Sequence, residues 1–167
     1  KICELFGIEF PILAFTHCRD VVAAVTKAGG YGVLGAAGHS PEELDIDLRW
    51  IAEQVGDRPF GVDIIVPAKY EGKDQGELAV RTLKDMIPAG HRAFVDDLLD
   101  RYGVPPLPAD ARPAGRGGES AAPMSYAQAV PLMDVAFSHP ISLIVNALGP
   151  PPPDMIERAH AQGVKVG

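Results

Sequence analysis

The sequence lacks several features that would assign it to a specialised class of protein. Its two cysteines, Cys3 and Cys18, are too few for a disulfide framework, so we expect free thiols and a cytoplasmic location. No apolar run approaches the roughly 18 residues of a membrane-spanning helix, and no signal-peptide pattern opens the chain, so no membrane contact is expected. Acidic residues outnumber basic ones, giving a formal net charge of -7, which argues against a nucleic-acid partner.

What the sequence does contain is a regular alternation of apolar, strand-like runs and helix-like segments. Strands are predicted at 11–15, 31–36, 60–66, 141–147 and 164–166, and helices at 19–28, 41–55, 78–86, 92–102, 126–137 and 154–162. Such alternation is typical of right-handed, parallel β–α–β units. Five strands are more than half of an eight-stranded TIM barrel, which typically needs about 250 residues. We therefore expect an α/β fold in which residues 1–167 are the N-terminal part of a single TIM (β/α)8-barrel domain, a fragment of a longer protein.

Far more residues separate the predicted third and fourth strands than a simple crossover requires. This excess predicts a helical and Pro/Gly-rich insertion over residues 67–125. Its part rich in proline, glycine and alanine, residues 104–123, has few side chains to bury. We expect that part to be a mobile surface loop.

Four polar residues stand at or near the predicted carboxyl ends of strands, where parallel α/β folds bind their ligands. His17 is a candidate proton donor or substrate contact, or else a loop residue or helix cap. Asp63 lies in an apolar strand, where an unpartnered carboxylate is costly, so we expect it to bind a ligand, form a salt bridge or cap a loop. Lys69 is a candidate substrate contact or a solvated lysine, and Asn146 contacts a ligand or fixes its own turn.

Two other patterns suggest functions that their context does not support. Gly30 to Gly35 match G-x-G-x-x-G but follow a helix instead of opening one, so close packing of the second strand explains these glycines better than a dinucleotide site. Cys18 adjoins His17, yet the side chains of neighbours usually diverge, which argues against a thiolate nucleophile. No spacing typical of metal ligands is present, so no metal is expected.

Taken together, four segments of the chain resemble the nitronate monooxygenase (2-nitropropane dioxygenase-like) family of FMN enzymes, which are built on a TIM barrel. The first segment, residues 5–14, contains Leu5-Phe6-Gly7-Ile8 and Pro11-Ile12-Leu13-Ala14, and the second, residues 22–35, contains Val22-Ala23-Ala24-Val25 and Ala28-Gly29-Gly30-Tyr31-Gly32-Val33-Leu34-Gly35. The third, residues 58–63, is Arg58-Pro59-Phe60-Gly61-Val62-Asp63. The fourth, residues 141–166, contains Ile141 to Pro152 and Ala159 to Val166. Their order and spacing carry the resemblance, which covers the chain except for 67 to about 135.

The resemblance implies where the FMN cofactor would lie. The backbone at Ala14, Phe15 and Thr16 would run beside the flavin ring. Asp63 stands where the family usually has an asparagine that contacts FMN, and Asn146 ends the fourth strand on the same rim. These five residues are therefore the candidate cofactor contacts.

The chain also departs from the family pattern. The family commonly has Ala-Pro-Met at the end of the first strand, where this chain has Ala14-Phe15-Thr16-His17, and often a histidine in the fourth-strand motif, where this chain has Ala147. Both changes alter the surface that faces the substrate. The resemblance places the family's catalytic histidine, in a Gly-Gly-His motif, and its glycine-rich phosphate loops on later strands, beyond Gly167.

The resemblance implies an FMN-dependent monooxygenase that oxidises a small alkyl nitronate-like substrate with molecular oxygen. Within these residues His17 is the candidate catalytic group, and the fragment alone is expected to be inactive. Two alternatives stay open. One is a flavin-dependent enoyl reductase that uses NAD(P)H, and the other is a non-catalytic homologue of the barrel.

Overall fold

The computed structural model describes residues 1–66, 87–106 and 126–167 of the chain. The helices in these ranges are α1 (Ile2–Phe6), α2 (Arg19–Lys27), α3 (Pro41–Val55), α4 (Ala89–Arg101), α5 (Tyr126–Ser138) and α6 (Pro153–Ala161). The strands are β1 (Leu13–Thr16), β2 (Tyr31–Gly35), β3 (Gly61–Ile64), β4 (Leu143–Asn146) and β5 (Lys165–Val166). All of these but α1 agree with the sequence pattern to within a few residues. Helix α1 is too short to show a helical period.

The five strands form one sheet in the order β1-β2-β3-β4-β5, and every neighbouring pair is parallel. Strand order therefore follows chain order without the reversal that marks a doubly wound sheet. A sheet that grows in one direction in this way is the sheet of a (β/α) barrel. The predicted α/β class and parallel topology are confirmed.

Apolar side chains pack on both faces of this sheet. On the helix side, a large cluster joins α2, α3, α5 and α6 to alternate strand residues such as Leu34, Val62 and Ile144. On the other side, Tyr31, Val33 and Leu143 pack with Phe6, Ile8 and Val145. Because side chains alternate along a strand, the second cluster marks the inner, barrel-facing side of the sheet.

Helix α2 packs closely on β2 because Gly32 has no side chain. A Cβ atom at Gly32 would lie 2.6 Å from the backbone oxygen of Val22 and 2.9 Å from its Cα atom. The role predicted for the β2 glycines, close packing of a helix on the strand, is therefore confirmed at Gly32. Gly35 turns to the other face and has a different neighbour.

Helix α3 begins with the capping box that the sequence predicts. Ser40 Oγ accepts a hydrogen bond from the backbone N–H of Glu43 at 3.2 Å, and the Glu43 carboxylate accepts one from the backbone N–H of Ser40 at 2.8 Å. The helix then buries Leu44, Leu48 and Ile51. In the part of the chain that the structure describes, no helix is long and apolar enough to cross a membrane.

A hydrogen-bonded tyrosine covers the amino end of the inner face of the sheet. The Tyr31 hydroxyl donates to the carbonyl oxygen of Phe60 at 3.0 Å and lies 2.6 Å from Ser142 Oγ. Burial raises the pKa of Tyr31 to about 12. The Phe6 ring of α1 packs edge-on against Tyr31, at 5.2 Å between centroids. On these strands the amino end of the inner face is therefore occupied by packed side chains, and the candidate ligand side is the carboxyl end.

The predicted insertion between β3 and α5 is described in part. Helix α4 corresponds to the predicted helix 92–102 and begins three residues earlier than predicted. None of its residues is buried, and Phe94 and Tyr102 are largely exposed. The predicted helix 78–86 and most of the predicted loop 104–123 lie outside the described residues.

Candidate active site

Strand register brings the candidate residues of different strands into one row on the inner face. Gly35 of β2 pairs with Asp63 of β3, and Asp63 pairs with Val145 of β4. One level below, Phe15 of β1 pairs with Val33, and Val33 pairs with Gly61. His17 follows the end of β1 and so extends the upper row. The carboxyl ends of β1 to β4 thus form a candidate active site defined by Phe15, His17, Gly35, Asp63 and Val145.

Asp63 is the buried polar group of this site. It is 8% exposed, and its carboxylate accepts a hydrogen bond from the backbone N–H of Ala147. Its Oδ1 atom is buried and has no hydrogen-bond partner among the described residues. Burial raises the pKa of Asp63, while the Ala147 N–H and the nearby His17 lower it. An acceptor in this condition is available to a ligand that donates a hydrogen bond.

His17 and Phe15 lie together over the end of β2. Their rings meet edge to face at 5.1 Å between centroids and an interplanar angle of 80°. The Nδ1 atom of His17 lies 3.0 Å from the backbone oxygen of Gly35. The imidazole is therefore held on the inner side of the sheet, on the same side as Asp63.

Gly35 makes this ring position possible. A Cβ atom at Gly35 would stand 2.7 Å from both Nδ1 and Cε1 of His17 and 2.8 Å from Cε2 of Phe15. Real Cβ atoms do not approach other atoms so closely, so any other residue would move both rings. The sequence showed a glycine in a strand but not the residues packed against it, because the contact spans 18 positions.

The other predicted cofactor contacts on β1, Ala14 and Thr16, lie on a different face of the strand from Phe15. Ala14 and Thr16 pair with Gly32 and Leu34, and therefore lie on the helix side, opposite to Phe15. Thr16 Oγ1 accepts a hydrogen bond from the backbone N–H of Cys18 at 3.1 Å. A ligand in the barrel interior would meet the backbone of these two residues, not their side chains.

Asn146 uses its amide to hold the loops around it. Its Oδ1 accepts from the backbone N–H of Val66 at 2.9 Å, and its Nδ2 donates to the carbonyl of Val66 at 3.0 Å and to that of Gly149 at 3.1 Å. These bonds correspond to the alternative in which Asn146 fixes its own turn, and they extend it to the end of β3. Lys69, the candidate substrate contact, lies outside the described residues.

Gly167, the residue beyond which the family's catalytic histidine is expected, continues the pairing of β5 with β4. Its backbone N–H donates to the carbonyl oxygen of Ile144 at 3.0 Å, and its own carbonyl oxygen accepts from the backbone N–H of Asn146 at 3.1 Å. Gly167 therefore extends the sheet and offers no side chain for catalysis. The position of the histidine in the Gly-Gly-His motif stays a prediction. Among the described residues, His17 lies on the inner rim.

The structure also shows a buried ionic cluster that the sequence pattern did not predict. Asp47 of α3 accepts hydrogen bonds from Arg19 Nη1 and His39 Nε2, both at 3.1 Å. The Arg19 guanidinium lies 4.8 Å from the centroid of the Trp50 ring. Arg19 and His39 belong to the segments that follow β1 and β2, so the cluster ties together two connections at the carboxyl end of the sheet. The sequence did not predict this cluster, because no known spacing pattern relates positions 19, 39 and 47.

Within residues 1–66, 87–106 and 126–167, the thiols and the metal-ligating side chains form no second site. Cys3 and Cys18 are free thiols, and Cys18 Sγ donates a hydrogen bond to Asp20 Oδ2 at 3.7 Å. Among the residues that the structure describes, no group of three or more His, Cys, Asp or Glu side chains is arranged to hold a metal ion.

Comparison with known proteins identifies the family of the chain. A family model for nitronate monooxygenase matches residues 2–166. The chain belongs to the nitronate monooxygenase family. The resemblance inferred from the four sequence segments is thereby confirmed.

Two proteins of known sequence are similar to the chain over different shares of its length. Rv1533 of Mycobacterium tuberculosis (strain ATCC 25618 / H37Rv), whose name describes a monooxygenase, is 53% identical over 166 residues, 99% of this chain and 44% of that protein. The (3aS,4S,5R,7aS)-5-hydroxy-7a-methyl-1-oxo-octahydro-1H-indene-4-carboxyl-CoA dehydrogenase of the same organism is 34% identical over 84 residues, 48% of this chain and 23% of that enzyme.

A solved structure supports the fold. The nitroalkane oxidase of Streptomyces ansochromogenes superposes with a TM-score of 0.63 at 21% identity, covering 99% of this chain and 41% of that one. At this identity the likeness concerns the fold, and it confirms the partial TIM barrel. The chain thus spans less than half the length of Rv1533 and of the nitroalkane oxidase.

Proposed function

We propose that residues 1–167 are the N-terminal part of a single TIM-barrel domain, interrupted by an insertion at 67–125, in an FMN-dependent monooxygenase. Its substrate would be a small alkyl nitronate-like compound and its oxidant molecular oxygen. The observation that carries this proposal is the buried, unpartnered Oδ1 of Asp63 on the inner face of the sheet. Membership of the nitronate monooxygenase family supports it.

The residues present fit a flavin. The isoalloxazine edge presents both donors and acceptors, and Asp63 Oδ1 is an acceptor that lacks a donor. Phe15 offers an apolar ring surface beside it, and the backbone of Ala14 and Thr16 runs past the same opening. The amide of Asn146 contributes by holding the ends of β3 and β4 together, since its hydrogen bonds are made within the protein. When bound, FMN supplies the two-electron oxidation of the substrate.

The side chains of this chain have three tasks in the proposed enzyme. Asp63 orients the ligand through its Oδ1 atom. Phe15 excludes water from one side of the opening, which strengthens the polar contacts made there. His17, held by Gly35, carries or accepts a proton at the rim.

The test uses the full-length protein with Asp63→Ala, and with Asp57→Ala as the matched control. Asp57 is exposed and precedes β3 at its opposite end, so its removal leaves the site intact. We expect the Asp63 variant to retain less FMN after gel filtration and to bind it at least about tenfold more weakly, the effect of losing one charge-assisted hydrogen bond. Flavin absorbance and fluorescence quenching measure both quantities.

The results can contradict the proposal in two ways. A colourless full-length protein that takes up no FMN would favour the non-catalytic barrel homologue. Equal FMN content and equal affinity in wild type and Asp63→Ala would exclude Asp63 as a cofactor contact. Oxygen consumption with an alkyl nitronate, measured on the flavin-loaded protein, tests the substrate and the oxidant.

A second candidate function is a flavin-dependent reductase or dehydrogenase that exchanges electrons with NAD(P)H. The observation in its favour is the relative named as a carboxyl-CoA dehydrogenase, 34% identical over 84 residues. Anaerobic mixing with NADPH or NADH separates the two functions. Rapid bleaching of the flavin supports the reductase, and bleaching only by the nitronate supports the monooxygenase.

For the cellular setting we propose a cytoplasmic enzyme that acts on a small molecule. Both cysteines are free thiols, as expected in a reducing compartment. The net charge of -7 does not suit a nucleic-acid partner. Fractionation of the native host, followed by immunoblotting, tests the location.

A further inference from the structure

The two oxygens of the Asp63 carboxylate have different surroundings. The carboxylate accepts a hydrogen bond from the backbone N–H of Ala147, whereas Oδ1 has no hydrogen-bond partner among the described residues. The bond from Ala147 therefore belongs to the other oxygen. Asp63 is 8% exposed, and a buried acceptor without a donor costs free energy until a donor reaches it.

Hydrogen bonds on both sides of Ala147 fix the direction of its N–H. Asn146, the residue before it, binds the backbone of Val66 through Oδ1 at 2.9 Å and through Nδ2 at 3.0 Å. On the other side, the Leu148 N–H donates to Asn146 Oδ1 at 3.4 Å, and Asn146 Nδ2 donates to the carbonyl oxygen of Gly149 at 3.1 Å. The loop after β4 is thus tied to the end of β3, which holds the bonded oxygen of the carboxylate in place.

The described neighbours of Asp63 in its row do not supply the missing donor. Gly35 and Val145, its partners in the strand register, have no polar side-chain atoms. The charge of His17 lowers the pKa of the Asp63 carboxyl and so favours the ionised form, but no hydrogen bond joins the imidazole to Oδ1. The donor for Oδ1 must therefore come from a group outside the described residues.

An amide at position 63 would present the opposite kind of group. Only an oxygen can accept the Ala147 N–H, so an asparagine would use its single oxygen there and turn its NH2 group to the other side. An ionised carboxylate has two acceptor oxygens and keeps one of them available. The residue at position 63 thus decides, at nearly equal size, whether a ligand meets an acceptor or a donor.

We propose that Asp63 is a specificity-determining residue that recognises, through Oδ1, the N3–H group of the oxidised flavin ring. This group is the one ring N–H of an oxidised isoalloxazine, and a carbonyl group stands on each side of it. A ring turned so that a carbonyl oxygen met Oδ1 would leave two acceptors facing each other, so one orientation of the ring is favoured. The inference rests on the proposed function for the identity of the ligand, and it adds which edge of the ring faces β3.

The test compares FMN with 3-methyl-FMN, in which a methyl group replaces the N3 proton. Full-length protein freed of flavin is titrated with each compound, and quenching of flavin fluorescence gives the two dissociation constants. We expect wild type to bind FMN at least about tenfold more tightly, the effect of one hydrogen bond to a charged group. In Asp63→Asn the two flavins should bind nearly equally, because the NH2 group faces the ring. Asp57→Asn, at an exposed position, should keep the wild-type ratio.

A second measurement observes the hydrogen bond itself. FMN that is isotopically labelled at N3 allows the N3–H proton to be assigned by NMR in the bound state. A hydrogen bond to a buried carboxylate should move this signal downfield and slow the exchange of the proton with water. Both effects should be absent from FMN bound to Asp63→Asn and present in FMN bound to Asp57→Asn.

The outcomes separate this inference from the proposed function. Equal affinity of wild type for the two flavins overturns the inference even if the protein binds FMN and oxidises nitronates. Continued rejection of 3-methyl-FMN by Asp63→Asn also overturns it, because the methyl group is then excluded by its size. A protein that takes up neither flavin contradicts the proposed cofactor and, with it, the recognition of N3–H.

Discussion

At the scale of single residues, the inner rim combines a buried carboxylate, one oxygen of which has no hydrogen-bond partner among the described residues, with two aromatic rings packed over a glycine. The buried Asp63 has a raised pKa, so its ionised form is less favourable in the folded protein than in the unfolded chain. This is a stability cost that a protein retains when the group serves a ligand. It also makes stability depend on pH in a direction that can be worked out.

We predict that Asp63→Asn stabilises the full-length protein at neutral pH in the absence of flavin. A group with a raised folded-state pKa contributes fully below its unfolded pKa of about 3.9, and that contribution is lost as pH rises through the folded value. The variant should therefore match wild type near pH 4 and exceed it by on the order of 1 kcal/mol at pH 7.5. Urea denaturation at both pH values measures the difference in free energy of unfolding.

The matched control for this prediction is Asp57→Asn, at an exposed position. Its free energy of unfolding should stay within about 0.5 kcal/mol of wild type at both pH values. A stability difference between Asp63→Asn and wild type that did not change with pH would mean that the carboxylate is not the source of the effect.

The residue scale also shows what the sequence could and could not predict. Asp63 was recognisable because a carboxylate inside an apolar strand is costly wherever it lies. The role of Gly35 could not be recognised from the sequence, because the two rings that cover it come from β1 and the residue that follows it. Only the register between β1 and β2 places those rings next to Gly35. For Asn146, the sequence left two alternatives open. Its hydrogen bonds to Val66 show that it holds neighbouring loops, which only the folded structure could reveal, and a contact with a ligand stays a prediction.

At the scale of elements, the segments that carry the site are fixed from outside the barrel. Asp47 binds Arg19 after β1 and His39 after β2, and both Asp47 and His39 are buried. Element boundaries were predictable because the Ser40 box and the glycine stops are local signals. Contacts between elements were not predictable, because they depend on how α2 and α3 pack.

We predict that Asp47→Ala destabilises the full-length protein by at least about 2 kcal/mol. The change leaves Arg19 and His39 without the carboxylate that holds both, and breaking a buried ion pair at one partner is costly. Part of that cost is relieved because Arg19 reaches solvent. Urea denaturation at pH 7 gives the free energy of unfolding.

Asp45→Ala provides the comparison on the same helix. Asp45 also contacts an arginine and a histidine, Arg49 and His139, but this carboxylate is about one-third exposed. Solvent-accessible ion pairs contribute little, so we expect a clearly smaller loss of stability than in Asp47→Ala. If the two alanine variants lost equal stability, burial would not be what distinguishes the Asp47 cluster.

At the scale of the whole molecule, the sheet is open at β1. Ile12, Leu13 and Phe15 are about half exposed, although Leu13 and Phe15 lie on the same inner face as the buried Tyr31 and Val33. In a closed barrel every strand has two neighbours and the inner face is covered. The chain supplies 41% of the length of the nitroalkane oxidase that shares its fold, so the cover for β1 is expected from the rest of the barrel.

We predict that a polypeptide of residues 1–167 binds the dye ANS and self-associates, whereas the full-length protein does neither. Exposed apolar surface next to an unpaired strand edge drives both behaviours. The double variant Leu13→Ser with Phe15→Ser should lower dye binding by the short polypeptide, because it removes the apolar side chains of β1. Phe94→Ser on α4 is the control for dye bound at the insertion helix. A monomeric short polypeptide without dye binding, by light scattering and fluorescence, would show that β1 needs no strand beside it and that the five-stranded sheet is stable as it stands.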